Sequence, residues 1–245
     1  MVPTATDTMD TITSPAALPL LRLLQLVSPS LPVGAFAYSQ GVEWAVEAGW
    51  IGNAADAEAW LDDQLHQSVV RVELPLLLRM QAVATTGEAD AMTGWIDRLL
   101  ALRETAELRA EEANRGRALA ELLATLGLLD SPPARQGPDA GWKALLGRSQ
   151  LAGFGHAAAA WRIAPADALA GYAWAWLENL TLAAVKIVPL GQSQGQQLLA
   201  RLAATIPTAV AAACALGDDD IGASSPALAI ASSRHETQYT RLYRS

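Results

Sequence analysis

Apolar residues recur along this chain at intervals of three and four rather than two, the period of helices with one buried face. Leu18, Leu21, Leu24 and Val27 share a helical face, preceded by Ser14 and Pro15 in cap and first-turn positions. A second helix is expected from near Ser39 through Val42, Trp44 and Val46 to a stop at Gly49. Asn53, with Asp56 three residues on, reads as the N-cap of a third. That helix runs through Trp60, Leu61 and Leu65 toward Val72, and Pro75 should kink or restart it. Ala89 to Leu102 and Thr105 to Leu126 predict surface helices, because "RETAELRAEEANRGRALAELLATLG" spaces Arg and Glu as a mostly solvated face would. "LLDSPPARQGPDAG", Leu128 to Gly141, predicts a flexible interruption. Alanine-rich helices are then expected at about 142–160, 166–187, 192–204 and 207–216.

The pattern predicts an all-α fold, a single-domain helical bundle of roughly ten helices over residues 18–230. Residues 1–17, polar and Thr-rich, read as a disordered N-terminal tail, and 231–245 as a C-terminal segment of different character.

Composition sharpens this. Only 17% of the 245 residues are charged and 51% are hydrophobic, so part of the surface is expected to be covered by a partner or a second copy. A formal net charge of −8 provides no basic field for nucleic acid. The single cysteine, Cys214, excludes an internal disulfide framework and fits a reducing, cytoplasmic setting. The N-terminus lacks the basic-then-apolar order of a secretion signal, and the apolar stretch "AATIPTAVAAACALG" is short for a membrane span and contains Pro207.

Three features invite a chemical reading. The loop "SPSLPVGAFAYSQG", Ser28 to Gly41, is glycine-rich, but a phosphate-cradling loop needs a glycine followed by Lys and Ser or Thr, and neither Gly34 nor Gly41 is followed by lysine. "GQSQG" at 191–195 matches the nucleophile elbow of serine hydrolases, with Asp218 to Asp220 and His235 following in the right order. This makes a Ser193 hydrolase the enzyme alternative, although the preceding segment has helical spacing where the elbow needs a strand. His66, His156 and His235 are far apart in sequence, and Asp62 with His66 at i, i+4 reads as an ion pair on a helix surface. No catalytic residue, metal site or cofactor is assigned.

The segment "SSRHETQYTRLYRS" sets Arg234, Arg241 and Arg244 against one acid, Glu236, in an otherwise acidic chain. If it is helical, Arg234, Gln238, Arg241 and Ser245 share a face beside a stripe of Tyr239, Leu242 and Tyr243. Arginine and tyrosine are enriched at protein interfaces, so this segment is expected to order on a partner.

Four blocks, "LLQLVSPSLPVGAFAYSQGVEWAVEAG", "RETAELRAEEANRGRAL", "WAWLENLTLAAVKIVPLGQSQGQQLL" and "IASSRHETQYTRLYRS", make the chain similar to the urease accessory protein F (UreF) family. The resemblance implies an all-helical homodimer without catalysis of its own. It implies assembly with an accessory protein called D or H and a nickel-carrying GTPase called G, to deliver nickel to apo-urease. Carried over by position, it assigns Arg234, His235, Glu236, Gln238, Tyr239, Arg241, Leu242 and Arg244 to the D-type partner. Phe36 and Tyr38, turned out of the core by Pro32 and Gly34, would join that contact. Lys186 and Gln192 would serve a dimer or GTPase interface, with Ser193 in a helix junction.

Overall fold

The computed structural model describes residues 17–129, 139–222 and 225–245. The expected tail before Ala17, the Ser14 and Pro15 cap, and most of the Leu128 to Gly141 interruption lie outside them. Within them the chain is helical, with no strand. Its α-helices are α1 (Ala17–Leu26), α2 (Val42–Glu47), α3 (Ala54–Gln64), α4 (Leu74–Thr86), α5 (Ala89–Leu102) and α6 (Ala106–Thr125). After the undescribed interruption come α7 (Asp139–Leu146), α8 (Gln150–Ala160), α9 (Pro165–Ile187), α10 (Gln192–Ala203), α11 (Ile206–Cys214) and α12 (Pro226–His235).

Local chemistry sets the boundaries. The Asn53 side chain accepts from the N–H groups of Ala55 and Asp56 and caps α3. Gly49, at φ 76°, follows the end of α2 in the left-handed conformation that glycine adopts freely. Between α3 and α4 the helix widens into a π-helical stretch, Leu65–Glu73, and α4 restarts with Pro75 in its first turn, where the missing N–H costs nothing. Residues 142–160 are not one helix. Ser149 leaves the helical conformation and accepts from the N–H of Ala152, so that α8 starts afresh.

Helix α8 is the centre of the core. All residues from Gln150 to Ala158 are buried, between α4 on one side and α6 on the other, as expected of a helix that is apolar all round. Helix α9 runs beside it, against α2, α4, α10 and α11. The approach of α6 to the start of α8 is so close that a Cβ on Gly116 would lie 2.8 Å from backbone atoms of Ser149. Gly116→Ala is therefore expected to cost about 1–3 kcal/mol through forced separation of the two helices, measurable as a lowered urea midpoint with unchanged slope.

The structure corrects the reading of α6 as a solvated surface helix. Glu111 and Glu112 are buried, as is Arg103 at the end of α5. Arg103 donates to Glu73 Oε1 at 2.5 Å and to Glu112 Oε2 at 2.9 Å. Glu112 Oε1 also accepts from the Ser149 hydroxyl at 2.8 Å and the Leu151 N–H at 3.0 Å. Burial disfavours the charged form of Glu112, but the Arg103 charge and these hydrogen bonds outweigh it and hold the carboxyl below its ordinary range. The same burial and the nearby Glu73 and Glu112 charges push the Tyr172 hydroxyl well above its ordinary value.

The stretch Gln192–Cys214 has the length and mean hydropathy of a membrane span. It is folded as two helices, α10 and α11, which turn Leu198, Leu199, Leu202, Ile206, Ala209 and Val210 into the core. Such a pattern belongs to core helices as much as to membrane ones.

Candidate partner-docking site

The loop at 28–41 and the C-terminal segment, 200 residues apart in sequence, are in contact. Gly34 at φ 69° leads into a single 3-10 turn, Ala35–Ala37, and the chain turns again through Gln40 at φ 48° and Gly41 at φ 81°. Glycine is required at 41 for a second reason, since a Cβ there would lie 3.0 Å from that of Ala231 in α12. This turn aims the N–H groups of Ser39 and Gln40 at the main-chain oxygen of Ser245, at 2.6 and 3.1 Å, and the Ser39 hydroxyl donates to the same oxygen at 2.6 Å. Successive N–H groups in a turn make such an anion-accepting hollow. Beside it, the Arg244 N–H donates to Ala37 O at 2.8 Å.

Helices α2 and α6 supply the remaining anchors. Glu43 accepts from the N–H groups of Leu242 and Tyr243 at 2.7 and 2.9 Å. Glu107 accepts from Arg241 at 3.0 Å, and Glu111 from the Ser245 hydroxyl at 3.2 Å and from Gln40 at 3.0 Å. Gln40 in turn accepts from the Trp176 indole N–H at 2.9 Å, which ties the loop to α9. Glu236 accepts from the N–H of Ala106 at the start of α6, and Gln238 donates to Glu47.

These contacts sort the expected site residues. Phe36 is exposed, as are Arg234, Glu236, Tyr239, Arg241, Leu242 and Arg244, with Gln238 half-buried. Tyr38 is not turned outward: it is 3% exposed, packed beneath the loop with its hydroxyl near Asn114. His235 is also interior, between Glu43 and Glu107. The helix ends at His235, so the one-face arrangement of Arg234, Gln238, Arg241 and Ser245 is not formed; the following residues run in turns along α2 and α6. Tyr243 points inward, and burial with the neighbouring Glu43 charge raises its hydroxyl pKa. What remains outside is an apolar trio of Phe36, Tyr239 and Leu242 amid arginines, a combination suited to protein recognition.

Lys186 and Gln192 are exposed around the junction of α9 and α10. Ser193 lies in the first turn of α10, with no strand before it, and His235 is held by two glutamates rather than by Asp218 to Asp220. Asp218 pairs with Arg79. The hydrolase elbow is not built. The second glycine of "GQSQG" serves packing instead: a Cβ on Gly195 would lie 2.5 Å from a methyl of Val185 in α9. His66 pairs with Asp62 at 3.4 Å on the helix surface. Among the described residues no group of three His, Cys, Asp or Glu side chains is placed to hold a metal ion.

Comparison with known proteins agrees with this frame. The UreF family model matches residues 51–203. A protein of Alcanivorax borkumensis named urease accessory protein UreF is 52% identical, over 91% of this chain and 97% of its own. The chain belongs to the UreF family. A namesake from an Azoarcus species is 51% identical over 95% of this chain and 99% of its own, and one from Pseudomonas putida 49% identical over 93% and 98%. The family model covers the helical frame from α3 to α10 and stops short of the loop and the C-terminal segment, while the matches to whole UreF proteins reach well beyond it.

Proposed function

We propose that this UreF protein serves urease maturation as a docking adaptor in the cytoplasm, working by binding rather than by chemistry. The observation that carries this is the meeting of two sequence-distant segments on one surface, fastened by backbone contacts and leaving Phe36, Tyr239, Leu242 and the arginines for a partner. The resemblance of its motifs supplies the occupant: the D or H accessory protein. A second copy of the chain and the nickel-carrying GTPase G would use other faces, among them the exposed surface around Lys186 and Gln192. Nickel is then cargo passed to apo-urease by the assembly.

Co-expression with the D-type protein and the GTPase, followed by sizing and metal analysis, tests this reading. The three proteins are expected to elute together, with two copies of this chain and with nickel in the assembled fraction. Elution of this chain apart from the D-type protein would overturn it.

A further inference from the structure

A cavity of about 80 Å3 lies beneath the loop at 28–41, where the loop crosses α8 and α9. Leu31 and Val33 of the loop form one wall, and Phe154 of α8 with Trp176 of α9 form the other. Phe36 and Leu182, both exposed, stand at the rim. Phe36 also belongs to the proposed docking surface, so a protein seated there lies over the mouth of the cavity.

The floor is polar and unpaired. Gln150 is 7% exposed and Tyr172 6%, yet neither the Gln150 amide nor the Tyr172 hydroxyl has a hydrogen-bond partner among the described residues, and both residues line the cavity. Buried polar side chains are normally paired, so these two are free to bond a group that enters. Burial and the Glu73 and Glu112 charges keep the Tyr172 hydroxyl protonated, which makes it a donor, while the Gln150 amide can donate or accept. The walls disfavour an ion. Arg115, which also lines the cavity, is already matched by Glu111 at 2.7 Å, and burial raises the Glu178 carboxyl pKa, so the charged form is itself disfavoured there.

Size narrows the occupant further. At about 10–15 Å3 per water, the cavity has room for roughly five to eight waters, the space of one substituted ring. That is well short of the roughly 300–1,000 Å3 of metabolite sites. Aromatic neighbours suit a ring, since Phe154 already meets Tyr172 edge-to-face with centroids 5.4 Å apart. We propose that the cavity receives a tyrosine side chain of the protein that docks at this surface, its ring between the loop wall and Phe154, its hydroxyl bonded to Gln150 and Tyr172. The inference rests on the docking role proposed above and gives it a buried aromatic anchor, the residue type and setting of interface hot spots.

p-Cresol, the tyrosine side chain as a free molecule, tests the cavity on the full chain alone. NMR titration is expected to give saturable shifts at Phe154, Ala175 and Trp176, and toluene, which lacks the hydroxyl, should bind about fivefold more weakly. Tyr172→Phe should remove most of that preference. Ala175 lines the cavity on α9, and Ala175→Leu fills the space while keeping a good helix former. It should abolish the p-cresol shifts and weaken binding of the D-type protein at least about tenfold in titration calorimetry. Tyr172→Phe, which adds no volume, should weaken the same complex about fivefold. Absence of saturable p-cresol shifts would overturn the proposal. So would native affinity for the D-type protein in both variants, which with p-cresol still bound would give the cavity to a free small molecule. An effect of Ala175→Leu confined to self-association would give it instead to a second copy of this chain. The p-cresol arm does not involve the D-type protein, so a failed cavity and a failed docking surface are separable.

Discussion

Replacing Arg103 by methionine is expected to destabilise the fold by about 3–5 kcal/mol, the cost of leaving a buried charge without its partner. Two carboxylates depend on this guanidinium, and they differ. Glu112 has further donors in the Ser149 hydroxyl and the Leu151 N–H. Glu73 is 2% exposed, and among the described residues its Oε2 has no hydrogen-bond partner, so Arg103 is its principal support. Most of the loss should therefore come from Glu73, and adding Glu73→Leu to Arg103→Met should recover part of it. Urea denaturation of the two single variants and the double variant measures the coupling. A loss under about 1 kcal/mol for Arg103→Met, the scale of an exposed ion pair, would contradict the buried reading. The consequence reaches the proposed docking surface through α6, because the helix anchored by Glu112 also carries Glu107 and Glu111, which hold the C-terminal segment.

What could be read in the sequence was what local chemistry determines. Asn53, Gly49 and Pro75 act through their own backbone neighbourhood, and they mark helix ends where the residue types say they should. The Ser149 cap was equally local, but the alanine-rich run around it hid the break between α7 and α8. The buried face of α6 is illegible for a different reason. Arg and Glu at spacings of three and four look alike whether they face water or a buried partner, and the partner that decides for Arg103 is Glu73, 30 residues earlier. The loop and the C-terminal segment each stood out by composition, yet their union is made by contacts such as Glu43 to Leu242, 199 residues apart, which no local pattern encodes. In sequence Tyr38 and His235 read as surface residues, because aromatic and ionisable side chains serve both partner recognition and satisfied interiors. In each case only the tertiary contact chooses.

Changing Tyr239 and Leu242 together to alanine is expected to weaken binding to the D-type accessory protein by at least about thirtyfold, the scale of losing an interface anchor. Tyr239 is fully exposed and Leu242 is 75% exposed, so neither side chain contributes to the core. The variant should unfold at the native midpoint, within the roughly 0.5 kcal/mol typical of surface changes. The substitution is a cleaner test than removing Arg234 to Ser245. Truncation there would also extract His235 from between Glu43 and Glu107 and strip Glu43 of two N–H donors, leaving the buried Glu43 carboxylate without these partners. A truncated chain that failed to bind could simply be misfolded near α2. With the double substitution, the backbone N–H of Leu242 still reaches Glu43, so a loss of affinity reports on the exposed side chains themselves. Phe36→Ala should act in the same direction, since Arg244 pairs with Ala37 and sets the loop tip beside the C-terminal segment. Titration calorimetry with the purified D-type protein distinguishes the outcomes: native affinity in the Tyr239 and Leu242 variant would move the docking surface elsewhere on the molecule.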